Sequence, residues 1–393
     1  MKEIQSNINI IGGGLIGAIT AYSLSKLKFN ISIIERNPLY NKEKHKDLRT
    51  TAISEGTKNF LDKIGIWKEM KHLSEPIKKI KVIDRKLNNQ LEFDNKRRKS
   101  NLGYIIENKD FLEKIYTKLE KTKNVKIFNN FSTCDFDINE ETITTYSKNL
   151  KITADINIAA DGKNSFVRKI FKTPSYFKDY KKSALVVTFT HTKNHNGTAF
   201  EFFYKNGPLA VLPMKKKKGN FASSIIWTET NNNLKNFSDL ETKKIISILE
   251  EKTKNCIGKI NSIISKQTFP LSSHLSSKFY ESRTIYIGDS AHSFHPIAGQ
   301  GWNLGMNDVQ NLFNLASYYK SLGIDLGDSF FCKKFHNNNF HNAYRLYQIT
   351  DKLDSIFQIQ NIIFRLGRQT GIKYINNNTK FKNLISDFAM GVN

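Results

Sequence analysis

A glycine-rich turn near the start of the chain constrains its fold more than any other feature. Gly12, Gly14 and Gly17 follow the apolar segment NINII and lead into AITAYSLSKL, which has the composition of a helix. The segment ISIIER then supplies a second short strand, so the region reads as a βαβ unit. Glycines at these three positions permit the tight turn, the approach of a pyrophosphate and the packing of helix on strand. The pattern predicts a dinucleotide-binding domain.

The residues around this turn also suit a dinucleotide. Leu15 and Ile16 begin the helix, whose free N–H groups can face phosphates. Glu35 ends the second strand, where a carboxylate can accept a hydrogen bond from a ribose hydroxyl, and Arg36 follows it. These residues do not separate NAD from FAD, and a purely structural glycine turn is the alternative.

A second glycine-rich turn lies in IYIGDSAHSFHPIAGQGWNLGMND, residues 285–308. Asp289 follows an apolar strand, where a carboxylate can bond a polyol hydroxyl. The loop that follows can expose backbone N–H groups at a helix start, which favours negative charge on a flavin ring. The candidate cofactor contacts in this loop are Pro296, Gly299, Gln300 and Gly301. The two turns together predict a flavin held by distant segments of the chain.

Two shorter motifs leave alternatives open. In DLRTTAIS, Arg49 can return to the pyrophosphate or remain a surface charge. In AADGKNS, Asp161 can hold a turn, orient Arg49 or cap a helix. His292 and His295 lack acidic or cysteine companions in the sequence, so we assign them to packing and predict no metal site.

The order of these segments predicts a mixed α/β fold. A Rossmann-like FAD-binding domain is interrupted by a β-sheet substrate domain, and the C-terminus is helical. The predicted boundaries are 1–75, 102–178 and 275–350 for the FAD-binding domain, 76–101 and 179–274 for the β-rich domain, and 351–393 for the helical segment. Residues 351–368 form an amphipathic stripe that suits core or partner contact, with membrane contact as the alternative.

Composition excludes some classes of function. Lys and Arg number 61 against 36 acidic residues, a net charge of +25, but they are spread along the chain with no aromatic-interleaved platform. We therefore predict no nucleic-acid binding, and leave a solvated basic face and an anionic membrane surface as alternatives. The three cysteines are isolated, which excludes a disulfide framework or zinc site. The start of the chain has no signal region, which predicts a cytoplasmic protein, with peripheral attachment to the inner membrane surface as a variant.

At these motifs the chain resembles the class A flavin monooxygenases of the p-hydroxybenzoate-hydroxylase fold. The family order is GxGxxG, then DG, then GD before a Pro–Gly stretch, and it matches Gly12 to Gly17, Asp161–Gly162 and Gly288–Asp289. Within that fold the chain is most similar to the ubiquinone-biosynthesis hydroxylases. DLRTTAIS, HPIAGQGWNLGMND and the C-terminal FKNLISDFAMG carry this similarity, which spans nearly the whole chain.

The resemblance implies an enzyme. FAD would contact the first turn, Glu35, Arg49, Asp289 and the loop 296–301, and Asp161 would belong to a motif linked with FAD and reduced nicotinamide. NAD(P)H or another donor would reduce the flavin, which would form a C4a-hydroperoxide with dioxygen and hydroxylate the ring of a polyprenylated phenol. Other ubiquinone-biosynthesis proteins would be possible partners. The family pattern implies no dedicated catalytic residue. We predict an aromatic pocket, with ordinary sheet core as the alternative, formed by Phe202, Tyr204, Pro213 and Trp227.

Three departures from the family pattern bear on activity. Trp302 stands where Phe is usual, Met306–Asn307 stands where an Arg commonly precedes the Asp, and Ser290 replaces a small apolar or amide residue. Two other functions stay open: an isoprenoid reductase on the same fold, and a flavin-binding, non-catalytic subunit of a ubiquinone-synthesis complex, for which the departures near residues 302–307 are the only hint.

Overall fold

The computed structural model describes residues 1–38, 47–84, 89–95, 100–238, 240–254, 256–294, 299–358, 370–371 and 374–391. The main helices are α1 Leu15–Ser25, α2 Glu55–Lys63, α3 Trp67–Met70, α4 Asn108–Glu120, α5 Phe166–Ile170, α6 Asn231–Ser238, α7 Thr242–Lys252, α8 Gln300–Ser321, α9 Ser329–Gln358 and α10 Thr379–Met390. The strands are β1 Lys2–Ile11, β2 Ile31–Glu35, β3 Thr50–Ser54, β4 Glu75–Ile77, β5 Lys79–Asp84, β6 Asn89–Asp94, β7 Gly103–Glu107, β8 Val125–Asn129, β9 Thr133–Ile138, β10 Ile143–Ser147, β11 Leu150–Ala159, β12 Ser175–His191, β13 Thr198–Phe203, β14 Pro208–Lys217, β15 Asn220–Thr230, β16 Ile260–Ser276, β17 Tyr280–Glu281, β18 Thr284–Tyr286 and β19 His292–Ser293. The mixed α/β class predicted from the sequence is confirmed.

The first large sheet contains the predicted βαβ unit. Its order is β17-β18-β11-β1-β2-β8, with β10 and β9 added beside β11. Strands β18, β11, β1, β2 and β8 run parallel, and the C-terminal halves of the central strands β1 and β11 are buried. Ile8, Ile10 and Ile33 are fully buried there with residues of α1, α4 and α8.

The second large sheet is mostly antiparallel, in the order β19-β16-β12-β15-β14-β13-β5-β6. One of its faces is covered by α6 and α7. Leu185, Ile225 and Trp227 are at most 5% exposed on that face, where they pack with Ile245 and Leu249 of α7. This buried cluster is the core of the sheet.

The opposite face of the same sheet is covered differently. A small three-stranded sheet, in the order β3-β7-β4, lies against part of it, so that Met214 and Ala222 pack with Ile77 and Ile105. Much of the remaining face is partly accessible to solvent. The predicted domain boundaries stay a prediction.

The chain closes with helices. Helix α9 packs on the main core through the buried side chains of Phe331 and Phe335. Met390, at the end of α10, packs beside the three-stranded sheet. The amphipathic stripe predicted for 351–368 lies mostly outside the residues with described side chains. Among the described helices, none is long and apolar enough to cross a membrane.

Candidate functional site

The first glycine-rich turn contains two glycines that the protein itself requires. Gly12 has a positive φ of 107°, and a Cβ there would lie 2.3 Å from the carbonyl oxygen of Ala160. A Cβ on Gly17 would lie 1.9 Å from the carbonyl oxygen of Gly12. These contacts join the start of α1 to the ends of β1 and β11, so a side chain at either glycine is incompatible with this arrangement.

Gly14 is different, because a Cβ there would meet no atom within 4 Å. It precedes α1, whose start has neither a capping side chain nor an acidic residue in the first turn. Leu15 and Ile16 therefore begin a helix whose first N–H groups face an open space beside Gly14. This arrangement suits the phosphates of a dinucleotide.

Glu35 lies at this turn, as the sequence predicted. Its carboxylate accepts hydrogen bonds from the backbone N–H of Gly13 at 2.7 Å and of Asn37 at 2.8 Å. Arg36 is exposed beside it. The Tyr116 hydroxyl donates to the Gly13 carbonyl at 2.5 Å, which ties α4 to the same turn. Burial raises the pKa of this tyrosine, so its hydroxyl stays protonated.

Arg49 and Asp289 come together although they are far apart in the sequence. The Arg49 guanidinium makes two 2.8 Å bonds to Asp47 and lies 5.1 Å from the ring centre of Phe269 on β16. Solvent reaches Asp289, but the surrounding protein raises the pKa of its carboxyl, and the charges of His292, Arg49 and Lys163 oppose that rise. A cation and an acid thus lie near each other, where a phosphate and a polyol could each be held, and we call the region around them the cofactor cleft.

Asp161 holds its own turn and does not contact Arg49. One of its carboxylate oxygens accepts from the Phe166 backbone N–H at 2.7 Å, at the start of α5. The other accepts from the Ser290 hydroxyl at 2.9 Å, and that hydroxyl also accepts from the Gly162 N–H at 3.0 Å. Ser290, one of the departures from the family pattern, therefore joins the DG turn to the GD turn.

Asn303 connects the second turn to β3 and α2. Its side-chain oxygen accepts from the Ser54 backbone N–H and the Thr57 hydroxyl, both at 2.9 Å. Its side-chain nitrogen donates to the carbonyls of Ala52 at 2.9 Å and Gly299 at 3.2 Å. These four hydrogen bonds of the Asn303 amide hold the start of α8 against the segment that follows Arg49.

Asp308 anchors the same turn from inside the protein. It is 1% exposed and accepts from the Gly288 N–H at 2.9 Å, and it shares a 2.7 Å hydrogen bond with His292. His292 also stacks on Phe294, with ring centres 5.3 Å apart. His292 thus has a packing and hydrogen-bonding role, while His295 lies outside the described residues. Within the described ranges no group of three or more metal-ligating side chains occurs.

The loop before α8 repeats the features of the first turn. Gly299 has a positive φ of 61° and precedes α8, which has no capping side chain and no acid in its first turn. A Cβ on Gly301 would meet nothing within 4 Å, as at Gly14. Gln300 is partly buried between them, and Pro296 lies outside the described residues. Two open glycines beside two free helix starts fit a dinucleotide bound at both ends.

Trp302 follows Gly301 and packs edge-on against Phe111, with ring centres 5.5 Å apart. Its indole N–H is buried and has no hydrogen-bond partner among the residues that the structure describes. Met306 is 1% exposed in the main core. These two departures from the family pattern therefore contribute packing.

The predicted aromatic pocket requires a correction. Phe202 and Trp227 lie in the core cluster under α6 and α7, and Tyr204 packs against it and donates to the Lys252 carbonyl at 2.5 Å. Pro213 is also buried and alternates along β14 with residues of the other face. Side chains alternate along a strand, and Phe202, Tyr204 and Trp227 point to the closed face. These residues therefore belong to the core of the sheet, which was the alternative interpretation.

The open face of this sheet was missed by the sequence analysis. Val82, Ala210, Leu212 and Ile226 form a partly accessible apolar surface there. Glu201 points to the same face, and burial raises the pKa of its carboxyl to about 8. The missed signal was the acid in the middle of the apolar strand TAFEFF.

This face borders the cofactor cleft. The segment that contains Arg49 lies over it, because the Leu48 N–H donates to Gln267 at 3.4 Å and Arg49 lies over Phe269. Gln267 is paired with Val186 and Val186 with Ile226, so they share the open face. The site therefore combines a dinucleotide cleft with an apolar wall.

Comparison with known proteins agrees with this geometry. A family model described as an FAD binding domain matches residues 5–323. The chain therefore belongs to this family of FAD-binding proteins.

Particular relatives narrow the class. Ubiquinone hydroxylase UbiL of Rhodospirillum rubrum is 26% identical over 389 residues, which cover 98% of this chain and 90% of the relative. The 3-demethoxyubiquinol 3-hydroxylase of Escherichia coli is 23% identical, with 82% of each chain covered. The p-nitrophenol 4-monooxygenase PnpA of Pseudomonas putida has the same fold, with a TM-score of 0.81, 16% identity and coverage of 100% and 99%.

Proposed function

We propose that this protein is an FAD-dependent monooxygenase that hydroxylates the aromatic ring of a polyprenylated phenol in ubiquinone biosynthesis. The observation that carries the proposal is the meeting of a two-ended dinucleotide cleft with a partly accessible apolar sheet face. Relatives whose names describe ubiquinone and demethoxyubiquinol hydroxylases support the substrate class.

The chain offers contacts along the full length of FAD. The backbone of Gly12 to Gly17 would hold the pyrophosphate together with Arg49, and Glu35 would accept from the ribose. Asp289 would bond the ribityl chain. Gly299, Gln300 and Gly301 would present the start of α8 to the flavin ring, where a helix N-terminus favours negative charge. Pro296 belongs to the same proposed set.

FAD, when bound and reduced by NAD(P)H or another donor, would supply the activation of dioxygen. The protein's own residues would position the phenol and keep water away. The open sheet face formed by Val82, Ala210, Leu212 and Ile226 would accept an apolar ring and its isoprenoid tail. The chain's net charge of +25 supports attachment to an anionic membrane surface, from which such a substrate could be taken.

The first test is the visible spectrum of the purified protein, followed by anaerobic reduction and oxygen addition with a short-tailed polyprenylphenol. We expect a flavin spectrum and a product heavier by one oxygen atom. Flavin that is reduced without oxygenating the phenol would favour a reductase or a non-catalytic subunit. Absence of flavin after addition of FAD would contradict the proposal.

A pair of variants makes the cofactor assignment specific. Gly14→Ala adds a methyl group where the dinucleotide would lie, whereas Gly371→Ala adds one at another glycine whose Cβ would meet nothing within 4 Å. We expect weaker FAD binding for the first variant alone. Equal FAD affinity in both variants would place the cofactor elsewhere.

A further inference from the structure

Glu201 lies on the open face of the second sheet. It is in β13, with Val82 of β5 on one side and Ala210 of β14 on the other. Its neighbour Phe202 points to the opposite, closed face. Because side chains alternate along a strand, the Glu201 carboxyl faces the apolar wall that borders the cofactor cleft.

This carboxyl has no partner within the described part of the chain. Burial alone raises its pKa, with no neighbouring charge or hydrogen bond acting on it. Other partly buried acids behave differently: Glu107, for example, has an ion pair with Lys109 at 3.0 Å. Glu201 is partly buried, and a partly buried carboxyl without a partner costs folding free energy that a leucine would reduce. Such a residue in a cleft marks a functional contact.

We infer that the Glu201 carboxyl receives a hydrogen bond from the ring hydroxyl of the bound phenol and so orients the ring on the open sheet face. The inference rests on the proposed function. A prenylated phenol presents an apolar ring and tail with few polar groups, and the wall around Glu201 presents apolar side chains with this carboxyl among them. The single polar group of the phenol would therefore meet the single carboxyl named on this wall, and its apolar parts would meet apolar side chains.

The test compares a short-tailed prenylphenol with its O-methyl ether, which cannot donate this hydrogen bond. Both are titrated into the FAD-loaded protein by calorimetry, without turnover. We expect wild type to bind the phenol about tenfold or more tightly than the ether, as for a hydrogen bond to an acidic group. Glu201→Leu should bind both alike, and Glu201→Gln should keep part of the preference.

Glu92→Gln is the matched control. Glu92 pairs with Lys81 across β5 and β6, so it points to the face away from Glu201, where it makes ion pairs with Lys79 at 3.1 Å and Lys81 at 3.5 Å. The same chemical change there should leave the preference for the phenol unchanged. Urea unfolding of each variant verifies that Glu201→Leu is folded.

The outcomes separate this inference from the proposed function. A tenfold preference that survives in Glu201→Leu, or an equal affinity of wild type for phenol and ether, overturns the role of Glu201. A preference for the phenol that disappears in Glu201→Leu supports the role of Glu201. It does so even if wild type never hydroxylates the phenol, because the lack of hydroxylation would contradict only the proposed function. A wild type that binds neither compound overturns both.

Discussion

The turn at residues 12–17 and the turn at residues 288–303 each leave an open glycine beside a free helix start, but different contacts hold them. In the first turn, backbone meets backbone, with Gly12 against Ala160 and Gly17 against Gly12. In the second, side-chain hydrogen bonds set the position, and their donors and acceptors are Ser290, His292, Asn303 and Asp308. One cofactor site is therefore built by two means.

The difference predicts which changes each turn tolerates. The first turn should fail when a side chain is added at Gly12 or Gly17, since the added Cβ would clash with backbone that no change of rotamer can move. The second should fail when a polar side chain is truncated, since buried donors and acceptors are then left unpaired.

The largest effect is expected from Gly17→Ala. The added Cβ would lie 1.9 Å from the Gly12 carbonyl oxygen, so strand and helix must separate, at a cost of about 3 kcal/mol or more in the free energy of unfolding. Gly14→Ala, by contrast, should unfold like wild type and lose FAD affinity. Urea unfolding and FAD titration of both variants provide the measurement. Similar stability losses in the two would remove the distinction between required and open glycines.

Asp308→Ala tests the second turn at its most buried side chain. Removal of the carboxylate leaves the Gly288 N–H and the His292 ring N without their shared acceptor, which should cost about 2–3 kcal/mol in the free energy of unfolding. Asp308→Asn should lose less, because its amide oxygen can still accept from Gly288. Chemical unfolding of the three proteins gives the values. An Ala variant as stable as wild type would show that side chains do not hold this turn.

Acid should destabilise the protein through His274 on β16, which is paired with Ser293 beside the second turn. His274 is 2% exposed, and burial, with the nearby charges of Arg168, His292 and Lys163, lowers its pKa from 6.5 to about 3. The unfolded chain thus binds the extra proton between these values, so stability falls as pH drops below about 6.5, by about 2 kcal/mol at pH 5. His274→Gln should flatten this dependence. Unfolding curves at pH 7 and pH 5 measure it, and an unchanged slope in the variant would assign the acid sensitivity to other groups.

The smallest effect is expected from Ser290→Ala. Its hydroxyl bridges Asp161 and the Gly162 N–H, and its loss should cost about 1–2 kcal/mol. Thr122→Ala is a suitable control, because that hydroxyl donates to a backbone carbonyl at 2.8 Å on α4, away from this turn. Urea unfolding and FAD titration of Ser290→Ala and Thr122→Ala provide the measurement. If both variants have the same FAD affinity and the same free energy of unfolding, the Ser290 bridge is dispensable.

Much of the fold could be predicted from the sequence because its signals are local. The apolar run before Gly12, the glycine spacing and the acid at Glu35 specify a βαβ unit within about 30 residues. The β-rich segment at 179–274 was also predicted, since alternation and turn residues are read directly. Both glycine turns were found for the same reason.

The direction of side chains in the second sheet could not be predicted. Phe202 and Glu201 are adjacent, and only the sheet's register against α6 and α7 decides which of them points to the closed core. A shift by one residue would exchange them. Likewise Ser290, which bonds Asp161, and Ser54, which bonds Asn303, come from segments more than 100 residues away, with no local trace in the sequence.

The amide of Asn303 reaches a backbone N–H that lies 249 positions earlier in the chain. At a synthesis rate of about 5–20 residues per second, roughly 12–50 s separate the two on the ribosome. During this interval the growing chain has its first turn and adds the strands of its second sheet one after another, but it has only one end of a cofactor site. FAD can therefore complete the protein only after synthesis has passed α8, and a chain that stalls earlier would remain colourless.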